Sequence, residues 1–315
     1  MSIERIRWVD QAKAIAIFLV CLGHIHYLPS QIWYIIYSFH MPLFFLLSGM
    51  FSNEDVKLIK KFKTLIIPYF FFNFVYYIFR YIINDAPLWN DWIVRLLCFD
   101  KRAGMWFLPC LFCSQFIISL VIKVYRINRL IGYFMLFVIT LIGVGYNYYG
   151  GRSLPLSLEI SFIVAPFLFL GYKIKDQISL LNSKRNLLAV IIFYVFSVGG
   201  FVLLPNHHVD LFRGSIGFAP MFYLTAFLGC IMTLMFCYLF QTNNMIFLYV
   251  GRSTLIIYGL HRIFLKMFNW VYIVKVDNMV FNILMSFIES FIVVLLIIPI
   301  AKFIYKYIPF FIGKF

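Results

Sequence analysis

The sequence predicts an all-α, polytopic integral membrane bundle of about ten transmembrane helices, a single domain over residues 1–315 with both termini in the cytoplasm. Three observations predict it. The chain is 63% hydrophobic and only 12% charged, with a mean hydropathy of +0.93, whereas a soluble domain is about half apolar and about a quarter charged. Apolar runs near the ~20 residues that a spanning helix needs recur along the whole length, without the short alternating strands of a membrane barrel. The net charge of +15 sits in short loops between those runs, so it reads as membrane topology rather than as a nucleic-acid surface.

The spans follow in order. The first, 12–29, comes after a basic segment that lacks a small-residue cleavage site, and a second apolar run follows at once, so it is a retained helix rather than a removed signal. The second, 32–51, contains "SFHMPLFFLLSG"; the third, 64–83, follows a lysine-rich stretch at 57–63. Between the third and fourth lies the longest outer loop, about 84–104, with an amphipathic piece suited to the membrane surface. The fourth, 105–122, carries Cys110 and Cys113 without a second pair, which reads as small polarizable packing residues. Spans at 131–148, 157–172 (short, with Pro166), 187–204, 216–240, 247–268 and 281–304 complete the set. The "NHHVD" segment at 206–210 offers too few ligands for a metal and reads as a solvated loop.

Orientation follows from the basic residues. Sixteen lie at one set of span ends, including Arg5, Arg7, Lys57, Lys60, Lys61 and Lys63, and six at the other. That bias puts the first set, and both termini, in the cytoplasm.

Ionisable residues within spans are costly and therefore functional candidates. Lys13 and His24 are eleven positions apart, which is three helical turns plus about 20°, so they share a face about 16 Å apart along the axis. His40 follows the turn near Pro29-Ser30, and its depth differs from that of His24 by about 6 Å. Two imidazoles at similar depth on adjacent antiparallel helices are hard to explain as packing. Pro42 lacks a backbone donor and frees a carbonyl near residue 38. Ser48 and Gly49 are small enough for close helix approach. Glu159 and Glu289 read as structural salt-bridge partners.

Here the residues match a family. "VDQAKAIAIFLVCLGH" followed by "YSFHMPLFFLLSGMF" resembles the membrane acyltransferase-3 family, and within it the fucose-4-O-acetylase-like integral-membrane O-acetyltransferases. Lys13 and His24 match the family's first-helix pattern of a basic residue, ten intervening residues and a histidine, with Lys where many members have Arg. Further echoes are "LIIPYFFF" at 65–72, "MWFLPCLF" at 105–112 and "VGRSTLIIYGLHRIF" at 250–264, so the likeness runs from residue 8 to about 264.

The resemblance implies transfer of an acyl group, usually acetyl from acetyl-CoA, onto a hydroxyl of a cell-surface or lipid-linked carbohydrate. His24 would be the base or the acyl carrier, with His40 beside it. Arg5, Arg7, Lys13, Arg252 and the 57–63 lysines could hold the CoA phosphates electrostatically. Asp10, Ser48, Tyr69, Asn73, Trp106 and His261 are supporting or oxyanion candidates. Counted as nine positions on one helix, Arg252 and His261 would lie on opposite faces. No metal is expected. The expected partners are acyl-CoA, the carbohydrate acceptor and membrane lipid, with no nucleic acid; a homo-oligomer is left open. The expected location is the plasma or inner membrane. The competing function is an exporter or flippase of polysaccharide or lipid-linked sugar. It would more naturally show repeat symmetry between halves, and none is visible.

Overall fold

The apolar runs become helices throughout. The computed structural model describes residues 6–204, 208–271 and 278–314. Among them are twelve helices and no β-strand. In chain order these are α1 (Arg7–Gly23), α2 (Ser30–Gly49), α3 (Leu58–Ile82), α4 (Trp89–Leu97), α5 (Phe107–Ile127) and α6 (Arg129–Tyr148). Then come α7 (Leu158–Ile174), α8 (Lys184–Val202), α9 (Ala219–Leu239), α10 (Met245–Arg252), α11 (Thr254–Val271) and α12 (Met279–Tyr307). Helix α3 contains a π-helical turn, Phe62–Ile66.

Eight of the helical stretches are long and apolar enough to cross a membrane. They coincide with eight of the ten expected spans. The differences fall at the first and ninth. Where 12–29 was expected, α1 covers Arg7–Gly23, only 17 residues, and it carries Arg7, Asp10 and Lys13. Where 247–268 was expected, the helix breaks at Ser253 into α10 and α11. The Ser253 N–H turns back to the carbonyls of Tyr249 and Val250, at 3.0 Å each.

The helix ends are written locally. Asn128 closes α5 and opens α6, its side chain accepting from the backbone N–H groups of Leu130 (2.9 Å) and Ile131 (3.2 Å). Asn244 does the same for α10 through Ile246 and Phe247, and Ser183 opens α8 through Asn186. Each cap satisfies donors that a helix start leaves orphaned. The amphipathic piece expected in the 84–104 loop is α4, which buries Trp92 and Leu96.

The chain divides into two compact units. The first comprises Met1–Phe44, Gln177–Val209 and Ile216–Phe303. In it α1 packs against α9, α10 and α11, and α8 packs against α9. The second comprises Phe45–Asp176, Asp210–Ser215 and Ile304–Phe315. Its centre is the trio α5, α6 and α7. The outward faces are apolar: Leu130, Phe134 and Phe137 on α6 and Leu188, Phe193 and Phe196 on α8 are all more than half exposed. In water such faces would be a liability; against lipid tails they are the ordinary surface of a spanning helix.

Candidate active site

The candidate site is built in the first unit, where the end of α1 meets α2 and α11. Helix α1 stops at Gly23, so His24 is not inside the helix as the span 12–29 implied. It is the residue that caps it, with its N–H on the carbonyl of Cys21 at 3.2 Å. His24 is exposed, whereas His40 on α2 and His261 on α11 are buried.

The three imidazoles share one arrangement. His24 Nδ1 lies 2.8 Å from the Val20 carbonyl, His40 Nδ1 2.8 Å from that of Ile36, and His261 Nδ1 2.8 Å from that of Tyr258. A carbonyl only accepts, so Nδ1 carries the proton in each ring. In the neutral imidazole Nε2 then keeps a lone pair. An exposed ring locked this way presents a base, or a nucleophile, to whatever approaches.

The rings are also grouped. His24 meets His261 edge-on, centroids 4.8 Å apart at 81°. Nε2 of His261 is buried with no hydrogen-bond partner among the described residues. His40 meets Tyr37 edge-on at 4.8 Å. Tyr37 stacks on Trp33 at 3.8 Å and donates its hydroxyl to the Gly23 carbonyl at 3.3 Å. Any side chain at Gly23 would come within 2.9 Å of the Tyr37 ring. Tyr37 therefore spans from the last residue of α1 to His40. His24 and His40 are within electrostatic reach of each other. Arg262 is within reach of both His24 and His261.

The other end of α1 holds the cations. Asp10 accepts from Arg252 Nε at 3.1 Å, and Lys13 Nζ lies 4.0 Å away from its other oxygen. Arg7 donates to Asn243 at 2.9 Å. The break at Ser253 makes this possible. A Cβ at Gly251 would sit 1.8 Å from the Asp10 carbonyl oxygen, so α10 crosses α1 with backbones in contact. It also removes the basis for counting Arg252 and His261 as opposite faces of one helix. Arg5 lies outside the described residues.

The remaining candidates belong to the second unit and bond within it. Ser48 Oγ accepts from Gln115 at 2.9 Å. The Tyr69 hydroxyl proton is spent on the Leu96 carbonyl at 3.1 Å. Asn73 donates to the Tyr69 carbonyl at 2.9 Å, and its Oδ1 is buried without a partner among the described residues. Trp106 opens α5, its ring 6.5 Å from that of Phe212. In the neighbouring loop the Arg102 guanidinium holds the Asp100 carboxyl below its usual range. Glu159 pairs with Lys101 at 3.6 Å. Glu289, in the first unit, accepts a hydrogen bond from the Tyr27 hydroxyl.

Sequence reasoning missed Tyr37 and Arg262. Tyr37 gives no signal in a chain with 21 tyrosines. Arg262 does: it is a cation within an apolar run beside a histidine, and that alone makes it a candidate.

The chain matches the acyltransferase-3 family model, described as an acyltransferase domain, over residues 6–306. No curated protein and no solved structure matches it significantly.

Proposed function

Because the chain belongs to the acyltransferase-3 family of membrane acyltransferases, we propose that it moves an acetyl group from acetyl-CoA to a hydroxyl of a cell-surface or lipid-linked carbohydrate, with His24 as the base. The observation that carries the role of His24 is its geometry: an exposed imidazole whose Nδ1 proton is held by the Val20 carbonyl. That leaves Nε2 as the one ring atom able to take a proton from an incoming hydroxyl.

The step balances on this one residue. Nε2 removes the proton as the acceptor oxygen attacks the thioester carbonyl. The tetrahedral intermediate collapses, the C–S bond breaks, and the imidazolium returns its proton to the CoA thiolate. A positioned base of this kind contributes ~10²–10⁴-fold. Arg262, within electrostatic reach of His24, is suited to the negative charge that develops on the carbonyl oxygen. His261 packs its ring edge-on against the reacting ring, and His40 reaches the same end of α1 through Tyr37. Lys13, Arg252 and Arg7 would meet the CoA phosphates, with Asp10 fixing the first two; their summed charge remains positive.

The same lone pair on Nε2 would serve an acyl carrier. Labelled acetyl-CoA given to the protein without acceptor separates the two routes: direct transfer predicts no labelled protein, and an acyl-histidine predicts a stoichiometric burst. The function itself is tested by mass spectrometry of surface glycans from cells with and without the protein. A mass difference of one acetyl group is expected, and identical glycan profiles would count against the acceptor class.

A further inference from the structure

The second unit carries a basic cavity that the proposed reaction does not use. It is about 440 Å³ and is lined by Lys57, Ile59, Lys60, Lys63, Thr64 and Gly313, a size at the lower end for small-ligand sites. Two separate parts of the chain build it. One wall is the first turn of α3 with its π-helical turn, a feature that recurs at functional sites. The other is the C-terminal turn, anchored by buried Ile312 and by Phe311 stacked on Phe71 at 4.8 Å. Gly313 closes the two together. Its φ of +72° is left-handed, and a Cβ there would lie 2.4 Å from the Lys63 carbonyl oxygen, so glycine suits this seam both sterically and conformationally.

Lys57, Lys60 and Lys63 are all exposed. The same turns also expose large apolar side chains: Ile59 by 75%, Leu58 by 48%, Phe62 by 47% and Phe310 by 51%. A soluble anion would meet only the charge of the lysines. A phospholipid meets that charge with its phosphate and the adjoining apolar rim with its own acyl chains. The position agrees, because the cavity opens at the first turn of a 25-residue helix apolar enough to cross a bilayer. We propose that this cavity binds the headgroup of an anionic phospholipid. The proposal stands independently of the acyl-transfer reading, and it takes the 57–63 lysines out of the CoA-binding set.

The test uses full-length protein in phosphatidylcholine nanodiscs with and without phosphatidylglycerol, and reads lipid retention by native mass spectrometry. Each lysine near a membrane surface is worth about fivefold in affinity. The combined Lys57→Gln, Lys60→Gln and Lys63→Gln protein should therefore bind phosphatidylglycerol about a hundredfold more weakly than wild type, with phosphatidylcholine retention unchanged. The three side chains are exposed, so the variant should fold. Gly313→Leu, which removes no charge but forces the C-terminal turn away from the Lys63 backbone and so opens the cavity wall, should lower phosphatidylglycerol retention too. Equal phosphatidylglycerol affinity in the triple variant would overturn the proposal. So would loss of free-CoA binding with phosphatidylglycerol retention intact, which would make the cavity a donor-phosphate site instead.

Discussion

Tyr37 shows how one residue ties the site together. Its ring leans on His40 and its hydroxyl reaches the last carbonyl of α1, one residue before His24. Tyr37→Phe removes one weak hydrogen bond and should lower turnover only a few-fold, whereas Tyr37→Ala removes the wedge and should cost at least tenfold. Steady-state kinetics on purified protein check this, and equal effects of the two would reduce Tyr37 to its hydroxyl. Arg262→Ala should lower kcat with little change in KM for acetyl-CoA, as expected for charge that acts on the developing oxyanion. A KM effect alone would make Arg262 a donor contact. His24 and His40 were legible because a titratable ring in an apolar run is conspicuous. The partnership of His24 with His261 was not. It depends on where α10 ends and α11 begins, and "VGRSTLIIYGLHRIF" has the apolar content of one continuous helix.

Glycine lets helices cross with their backbones in contact. In the second unit, a Cβ on Gly49 of α2 would lie 2.1 Å from the Leu168 carbonyl oxygen, and one on Gly171 of α7 would lie 2.0 Å from that of Leu46. The two glycines let α2 and α7 touch backbone to backbone, as small residues do between membrane helices. Neither position has room for a methyl group. Gly49→Ala should cost ~1–3 kcal/mol, the usual penalty for overpacking, while Ser48→Ala should cost less. Thermal unfolding in detergent measures both, and similar melting temperatures for Gly49→Ala and wild type would contradict the crossing. The Ser48-Gly49 signal was visible at the end of an apolar run. Gly251, which makes the tighter crossing of α10 on α1, was hidden because a glycine before a break looks the same in sequence as one within a helix. Gly251→Ala should weaken acetyl-CoA binding as well as stability, since it displaces Asp10 and with it Lys13 and Arg252.

At the scale of the whole chain, the class of fold was fully legible: long apolar runs have one stable form in lipid, because every backbone group must be bonded internally. The number of crossings was less so, since α1 is short and charged and the ninth run is broken. The basic bias predicts that residues 57–63 face the cytoplasm and 84–104 the exterior. Single-cysteine labelling with an impermeant reagent should mark 84–104 and spare 57–63 in intact cells, and the reverse pattern would invert the topology. The role of His24 is tested by acetyl transfer with purified wild-type and His24→Ala proteins of equal thermal stability. His24→Ala should lose at least about a hundredfold in turnover while binding acetyl-CoA as wild type does; near-normal turnover in His24→Ala would show that His24 is not the base.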